Sequence, residues 1–234
     1  MDNTFILALQ KVDVPVKFRA ASKLAKFFKA NNKFLKFELK EKMLGEYMLS
    51  IEQAINIYHL LSHVMISKIP GDVVELGCYD GTTSILIRKT LNQFNSKKSL
   101  HVYDSFEGLP DKTEKDGNTK FTRGSCKATK EALIHKFKKF NVDLPEIHVG
   151  WFKNLLPQEL PKKISFAHLD GDFYTSIKES LESVYPRLTK GAIVIVDDYC
   201  DPSILDVNNI LPGVKKACDE FLKNKKEKMN VLIA

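Results

Sequence analysis

Two rhythms of apolar and polar positions alternate along this chain. Short runs rich in aliphatic and β-branched residues read as buried strands at Asp72–Leu76, Leu100–Tyr103, Glu146–Val149, Ile164–Leu169, Ala192–Val196 and Met229–Ala234. Between them the apolar residues recur at helical spacing. Ser50 and Gln53 form a capping-box signal, and Ile51, Ala54, Ile55, Tyr58, Leu61 and Val64 follow before Pro70-Gly71 ends the segment. Further helices are expected over Thr82–Asn92, Ala128–Phe140, Thr175–Leu188 and Val214–Leu222. Strands alternating with helices predict an α/β fold around a mostly parallel sheet, because parallel neighbours need crossover connections.

The stretch from Ile164 to Cys200 organises the rest. Its two strands each deliver carboxylates at the C-terminal end, Asp170-Gly171-Asp172 after the first and Asp197-Asp198 after the second. In an open parallel sheet ligands bind beyond these strand ends. Asp170, Asp172, Asp197 and Asp198 are therefore expected at one functional edge, where they would repel one another unless a cation joined them. Oxygen ligands favour Mg²⁺ or a similar hard ion. The competing reading makes some of these residues helix caps or turn acids, a common use of Asp.

Upstream, the first of these strands runs into Gly77-Cys78-Tyr79-Asp80-Gly81, with Glu75 two residues before the first glycine. Such a turn lets a ligand approach the backbone, and the following helix offers free N–H groups. It is neither GxGxxG nor a phosphate loop. The next strand ends in Asp104, 29 residues after Glu75, where an acid can bind both hydroxyls of a ribose; capping the turn Ser105–Gly108 is the alternative. Together the pair suggests a nucleoside-bearing ligand. The loop over 105–126 is long enough to be functional or mobile. Trp151 follows a strand end and either lines the pocket or packs in the core.

Composition adds bounds. With 44% apolar residues, 234 residues suffice for one α/β core, and no run of about 20 apolar residues suggests a membrane span. The N-terminus lacks signal-peptide features and the four cysteines are widely spaced, so a reduced, cytoplasmic protein is expected. The net charge of +7 is concentrated in residues 11–42, where ten Lys/Arg face three acids. A basic helical arm over 1–42, preceding a domain over 43–234, is one reading. It packs on the domain or a second subunit, closes over the substrate, or touches a polyanionic surface. The basic pI suggests nucleic acid, yet no binding module or aromatic-interleaved basic surface supports that.

The strings ELGCYDG, VYDSFEGLP, VGWFKNLLP, FAHLDGDFYTSIKESLESVYPRLTKGAIVIVDDY and PGVKKACDEF resemble the macrocin O-methyltransferase (TylF/MycF/NovP-like) family over about residues 43–225. The resemblance implies the Rossmann-like class I methyltransferase fold of a bacterial enzyme. It also implies S-adenosylmethionine and Mg²⁺ as cofactors and a sugar hydroxyl of a glycoside or nucleotide-linked sugar as acceptor. Carried over by motif, Asp170, Asp197 and Asp198 would hold the metal and Asp172 would be the general base. Glu75, Gly77 and Gly81 would form the cofactor loop, with Asp104 on the cofactor ribose and Ser105 beside it. The family fold closes with an antiparallel hairpin of its last two strands, whereas this sequence stops after Met229–Ala234. A truncated chain and an absent last strand both account for that. A catechol-type O-methyltransferase, a nucleic-acid methyltransferase and a non-catalytic fold relative are the rival functions, and a homo-oligomer is compatible with the N-terminal helices.

Overall fold

The computed structural model describes residues 5–10, 49–201 and 211–233. In chain order the elements are β1 (Phe5–Gln10), α1 (Ile51–Ile66), β2 (Asp72–Leu76), α2 (Thr82–Gln93), β3 (Leu100–Asp104), α3 (Lys130–Lys139) and β4 (Glu146–Val149). Then follow α4 (Phe152–Leu155), β5 (Ile164–Leu169), α5 (Tyr174–Val184), β6 (Leu188–Val196), α6 (Pro212–Leu222) and β7 (Met229–Ile233). The strands form one sheet in the order β4-β3-β2-β5-β6-β1-β7, with parallel pairing throughout.

Alternation along the strands sends side chains to two cores. Val74, Leu76, Val194 and Val196 face α5 and α6, while Val73, Ile193 and Ile195 face α1, α2 and α3. Both faces of the central strands are covered, which is why β5 is buried along its whole length instead of alternating with solvent. The Thr175–Leu188 helix expected from periodicity ends at Val184. Tyr185-Pro186-Arg187 forms a 3₁₀ turn, and Leu188 already belongs to β6.

The sheet edge differs from the expected one. The position between β6 and β7 is taken by β1, with Leu7 in register with Ile195 on one side and Asn230 on the other. Residues 5–10 were assigned by sequence to the basic arm, and their backbone is instead a strand of the sheet. The rest of the basic arm expected over 1–42 lies outside the described residues, and Leu49 is buried in the core. No described helix is long and apolar enough to cross a membrane, and Cys78, Cys126, Cys200 and Cys218 form no disulfide.

Candidate active site

The sheet's hydrogen-bond ladder continues one residue past the strands, and this aligns the functional edge. Asp170 N donates to Leu76 O at 2.8 Å, Gly77 N to Tyr103 O at 2.8 Å, Asp197 N to Leu169 O at 2.9 Å and Gly150 N to Asp104 O at 2.9 Å. Five strand ends thus reach one level. A cleft of about 370 Å³ opens there, between Gly77, Asp104, Trp151 and the acids after β5 and β6.

Gly77 adopts φ +88°, and a Cβ added to it would lie 1.8 Å from the Asp170 carbonyl oxygen. Only glycine fits where β2 leaves the sheet beside β5. Gly81 (φ +83°) is the N-cap of α2, and its bare Cα packs against Leu133 and Phe137. The loop is tied to β3 through Asp104. Its Oδ2 accepts from Cys78 N at 3.0 Å and Tyr79 N at 2.8 Å, while Oδ1 accepts from Phe106 N at 2.8 Å. Burial pushes this carboxyl above the usual range, the three backbone donors pull it back, and nearby Glu75 opposes them. Asp104 caps its own turn and also lines the cleft, so its two sequence readings are compatible. Ser105 lines the cleft too, with Oγ donating to Gly108 O at 3.0 Å. Burial holds the neighbouring Cys78 thiol well above its ordinary pKa, which keeps it protonated and poorly nucleophilic.

Glu75 stands apart from the cleft. It is fully buried beneath the glycine loop, accepts from Ser84 Oγ, and lies 3.1 Å from His168 Nδ1. Its observed contacts anchor β2 to α2 and β5.

The four aspartates divide. One carboxylate oxygen each from Asp170, Asp172 and Asp198 falls within 4.8 Å of the others. Asp172 and Asp198 have φ +56° and +57°, a left-handed backbone that Asp tolerates better than most residues and that clusters at functional sites. Asp197 is turned the other way and nearly buried. Its two oxygens accept from Gln53 Nε2 at 2.8 and 3.1 Å. The donor set around Asp170 is entirely oxygen, which fits a hard divalent cation.

Two residues at the site escaped the sequence reading. Gln53 was visible only as half of a capping box, and nothing local reveals that its amide reaches a residue 144 positions away. Asp116, inside the long loop, accepts from Tyr174 N at 2.6 Å and from Thr113 N at 2.7 Å. It supplies the cap that Phe173 lacks and fastens the loop to the helix following Asp172. Trp151 lies on the cleft wall.

Residues 20–231 match the family described as macrocin-O-methyltransferase (TylF). The chain belongs to this family. It is 33% identical over 184 residues to demethyldecarbamoylnovobiocin O-methyltransferase of Streptomyces niveus, covering 74% of this chain and 66% of that protein. With mycinamicin III 3''-O-methyltransferase of Micromonospora griseorubida the identity is 28% over 167 residues, covering 67% of this chain and 66% of the relative. The chain thus spans just under two thirds of these family members' length. The solved O-methyltransferase NovP superposes with a TM-score of 0.62 at 27% identity, covering 74% of this chain and 72% of that one. The calicheamicin methyltransferase CalS11, at 21% identity and a TM-score of 0.59, covers 90% of this chain and 86% of that one, and shows the same fold. Membership of the TylF family thus accords with both the motif strings and the α/β architecture.

Proposed function

We propose that this protein is an S-adenosylmethionine-dependent O-methyltransferase acting on a sugar hydroxyl of a glycosylated or nucleotide-linked small molecule. The carrying observation is the shared edge on which a glycine turn, a half-buried ribose-type acid and three convergent carboxylates meet. A relative from Streptomyces olivaceus, 30% identical over 161 residues and named as the 4'-O-methyltransferase of a rhamnosyl-bearing tetracenomycin, supports the acceptor class.

In this reading Gly77 and Asp104 seat the cofactor, with Gly81 shaping the loop and Asp104 accepting from the ribose hydroxyls. The bound cofactor would supply an electrophilic methyl group, and Mg²⁺ would lower the pKa of the acceptor hydroxyl. Asp170 and Asp198 hold the ion. With Asp197 as the third carboxylate, as the family pattern has it, Asp172 is left to act as the base; the convergence of Asp172 with Asp170 and Asp198 supports the alternative in which Asp172 is the third ligand. Asp172 receives the hydroxyl proton, and Trp151 and Leu109 line the cleft beside it. Fixing acceptor oxygen and methyl in one cleft supplies the orientation that a weakly acidic hydroxyl needs.

Calorimetric titration of S-adenosylhomocysteine and then Mg²⁺ tests the site, followed by methyl transfer from labelled cofactor to glycosides, nucleotide sugars and catechols. Binding of both ligands with turnover of glycosides or nucleotide sugars is expected. Preferential turnover of catechols would replace the acceptor class, and failure to bind the cofactor product would replace the reading by a non-catalytic one.

A further inference from the structure

At the far edge of the sheet, away from the cleft lining, three side chains on β3 and β4 meet on one face. The parallel register sets His101 beside Glu146 and Tyr103 beside His148, so all four project to the same side. His101 Nδ1 lies 3.2 Å from His148 Nε2 and 3.4 Å from Glu146 Oε2. All three ligand atoms fall within 4.8 Å of one another. Around a tetrahedral Zn²⁺ with bonds of about 2.0–2.1 Å, ligand atoms stand about 3.3 Å apart. The two contacts made by His101 already have that spacing.

The surroundings orient the set. His148 Nδ1 lies 3.3 Å from Glu159 Oε2, so a carboxylate stands ready for the tautomer with its ring proton on Nδ1, which turns the Nε2 lone pair toward His101. Tyr103 stacks on the His148 ring at 4.3 Å with planes 8° apart, which fixes the ring's tilt. Without a metal, the 3.2 Å contact between His101 Nδ1 and His148 Nε2 needs a proton on one of the two nitrogens. A metal takes that proton's place if His101 carries it on Nε2 instead. Glu146 is largely exposed, so an ion can enter from solvent and keep a water as its fourth ligand.

We propose that His101, Glu146 and His148 form a binding site for Zn²⁺ or a similar borderline divalent ion, separate from the acidic site at Asp170. Two imidazoles and one carboxylate suit such an ion, whereas the oxygen-only set at Asp170 suits a hard one. The ion would clip edge strand β4 to β3. Because β4 leads directly into Gly150 and Trp151, the clip would also brace one wall of the cleft.

The test is titration of Zn²⁺ against a chromogenic chelator into the metal-stripped full chain, in excess Mg²⁺, with Co²⁺ spectra as a reporter of four-coordination. One equivalent should bind in wild type and in an Asp170→Asn/Asp198→Asn variant. Glu159→Gln, which removes only the orienting carboxylate, should weaken binding by about 10–100-fold. Glu146→Gln and His148→Gln should weaken it further. Glu146 is exposed, so its substitution leaves folding intact and keeps the test informative if His148→Gln unfolds. Absence of stoichiometric binding to wild type would overturn the proposal. So would binding that survives Glu146→Gln but is lost in the Asp170/Asp198 variant, which would leave only a hydrogen-bonded histidine pair.

Discussion

The Gln53 amide nitrogen donates to both carboxylate oxygens of Asp197, at 2.8 and 3.1 Å, while the amide oxygen accepts from Ser50 N at 2.7 Å. One side chain therefore closes the N-terminus of α1 and holds an acid at the end of β6. This engages Asp197 outside the Asp170–Asp172–Asp198 cluster, and it separates two assignments of the third metal ligand. If Asp197 is the ligand, Asp197→Asn should weaken Mg²⁺ binding strongly and Asp172→Asn only slightly. If the observed cluster is the binding set, the order reverses. Calorimetric Mg²⁺ titration of both variants decides between them.

Turnover separates the roles further. As the base, Asp172 should lose about 10²–10⁴-fold in rate when replaced by Asn, with S-adenosylhomocysteine affinity near that of wild type. A rate within a few-fold of wild type, measured with labelled cofactor, would remove Asp172 from the proton transfer.

Burial raises the Asp104 carboxyl above the ordinary aspartate range, and this predicts a pH signature for cofactor binding. Ribose hydroxyls donate to the ionised form, so binding lowers the pKa of Asp104 relative to the free protein. Affinity is then full above the free-protein pKa and falls as pH drops through it, until the pKa of the complex is passed. S-adenosylhomocysteine should therefore weaken at a pH higher than an aspartate near 3.9 would allow. Asp104→Asn should bind more weakly and show no such step. A wild-type affinity that is flat down to pH 4 would contradict the role.

Gly77 and Gly124 share a left-handed backbone but not their surroundings. A Cβ at Gly77 would meet the Asp170 carbonyl at 1.8 Å, whereas at Gly124 it would meet nothing within 4 Å. Gly124→Ala carries only backbone strain, about 1–2 kcal/mol. Gly77→Ala must also displace β5 at the edge lined by the carboxylates and should cost at least about 3 kcal/mol. Urea denaturation of the two variants checks the difference, and equal losses would mean the loop yields more easily than its packing implies.

The legible part of the site lies where local pattern and topology coincide. Carboxylates at the ends of two consecutive strands in a βαβ unit must share an edge, so Asp170, Asp172 and Asp198 could be grouped without coordinates. Side-chain direction at that edge was not legible. Asp197 and Asp198 are adjacent, yet a left-handed backbone at Asp198 sends them apart, and Glu75 points under the loop instead of into the cleft. Gln53 and Asp116 act through long-range contacts that leave no local trace. Likewise, FILALQ is apolar enough for a strand, but its place between β6 and β7 depends on pairing across nearly the whole chain.

That placement makes a sharp prediction. As an internal strand, β1 uses its backbone N–H groups in ladders with both neighbours, and Leu7 lies in register with Ile195 and Asn230. Proline has no N–H to give, and its ring disrupts pairing on either side. Leu7→Pro should therefore cost about 3 kcal/mol of stability, the penalty of proline inside regular structure. The same change should loosen β7, whose described sheet partner is β1, so amide exchange in Met229–Ile233 should accelerate along with that of β6. If Leu7→Pro leaves both the denaturation midpoint and β7 exchange unchanged, β1 does not bridge β6 and β7 in solution. The described sheet would then end at β6.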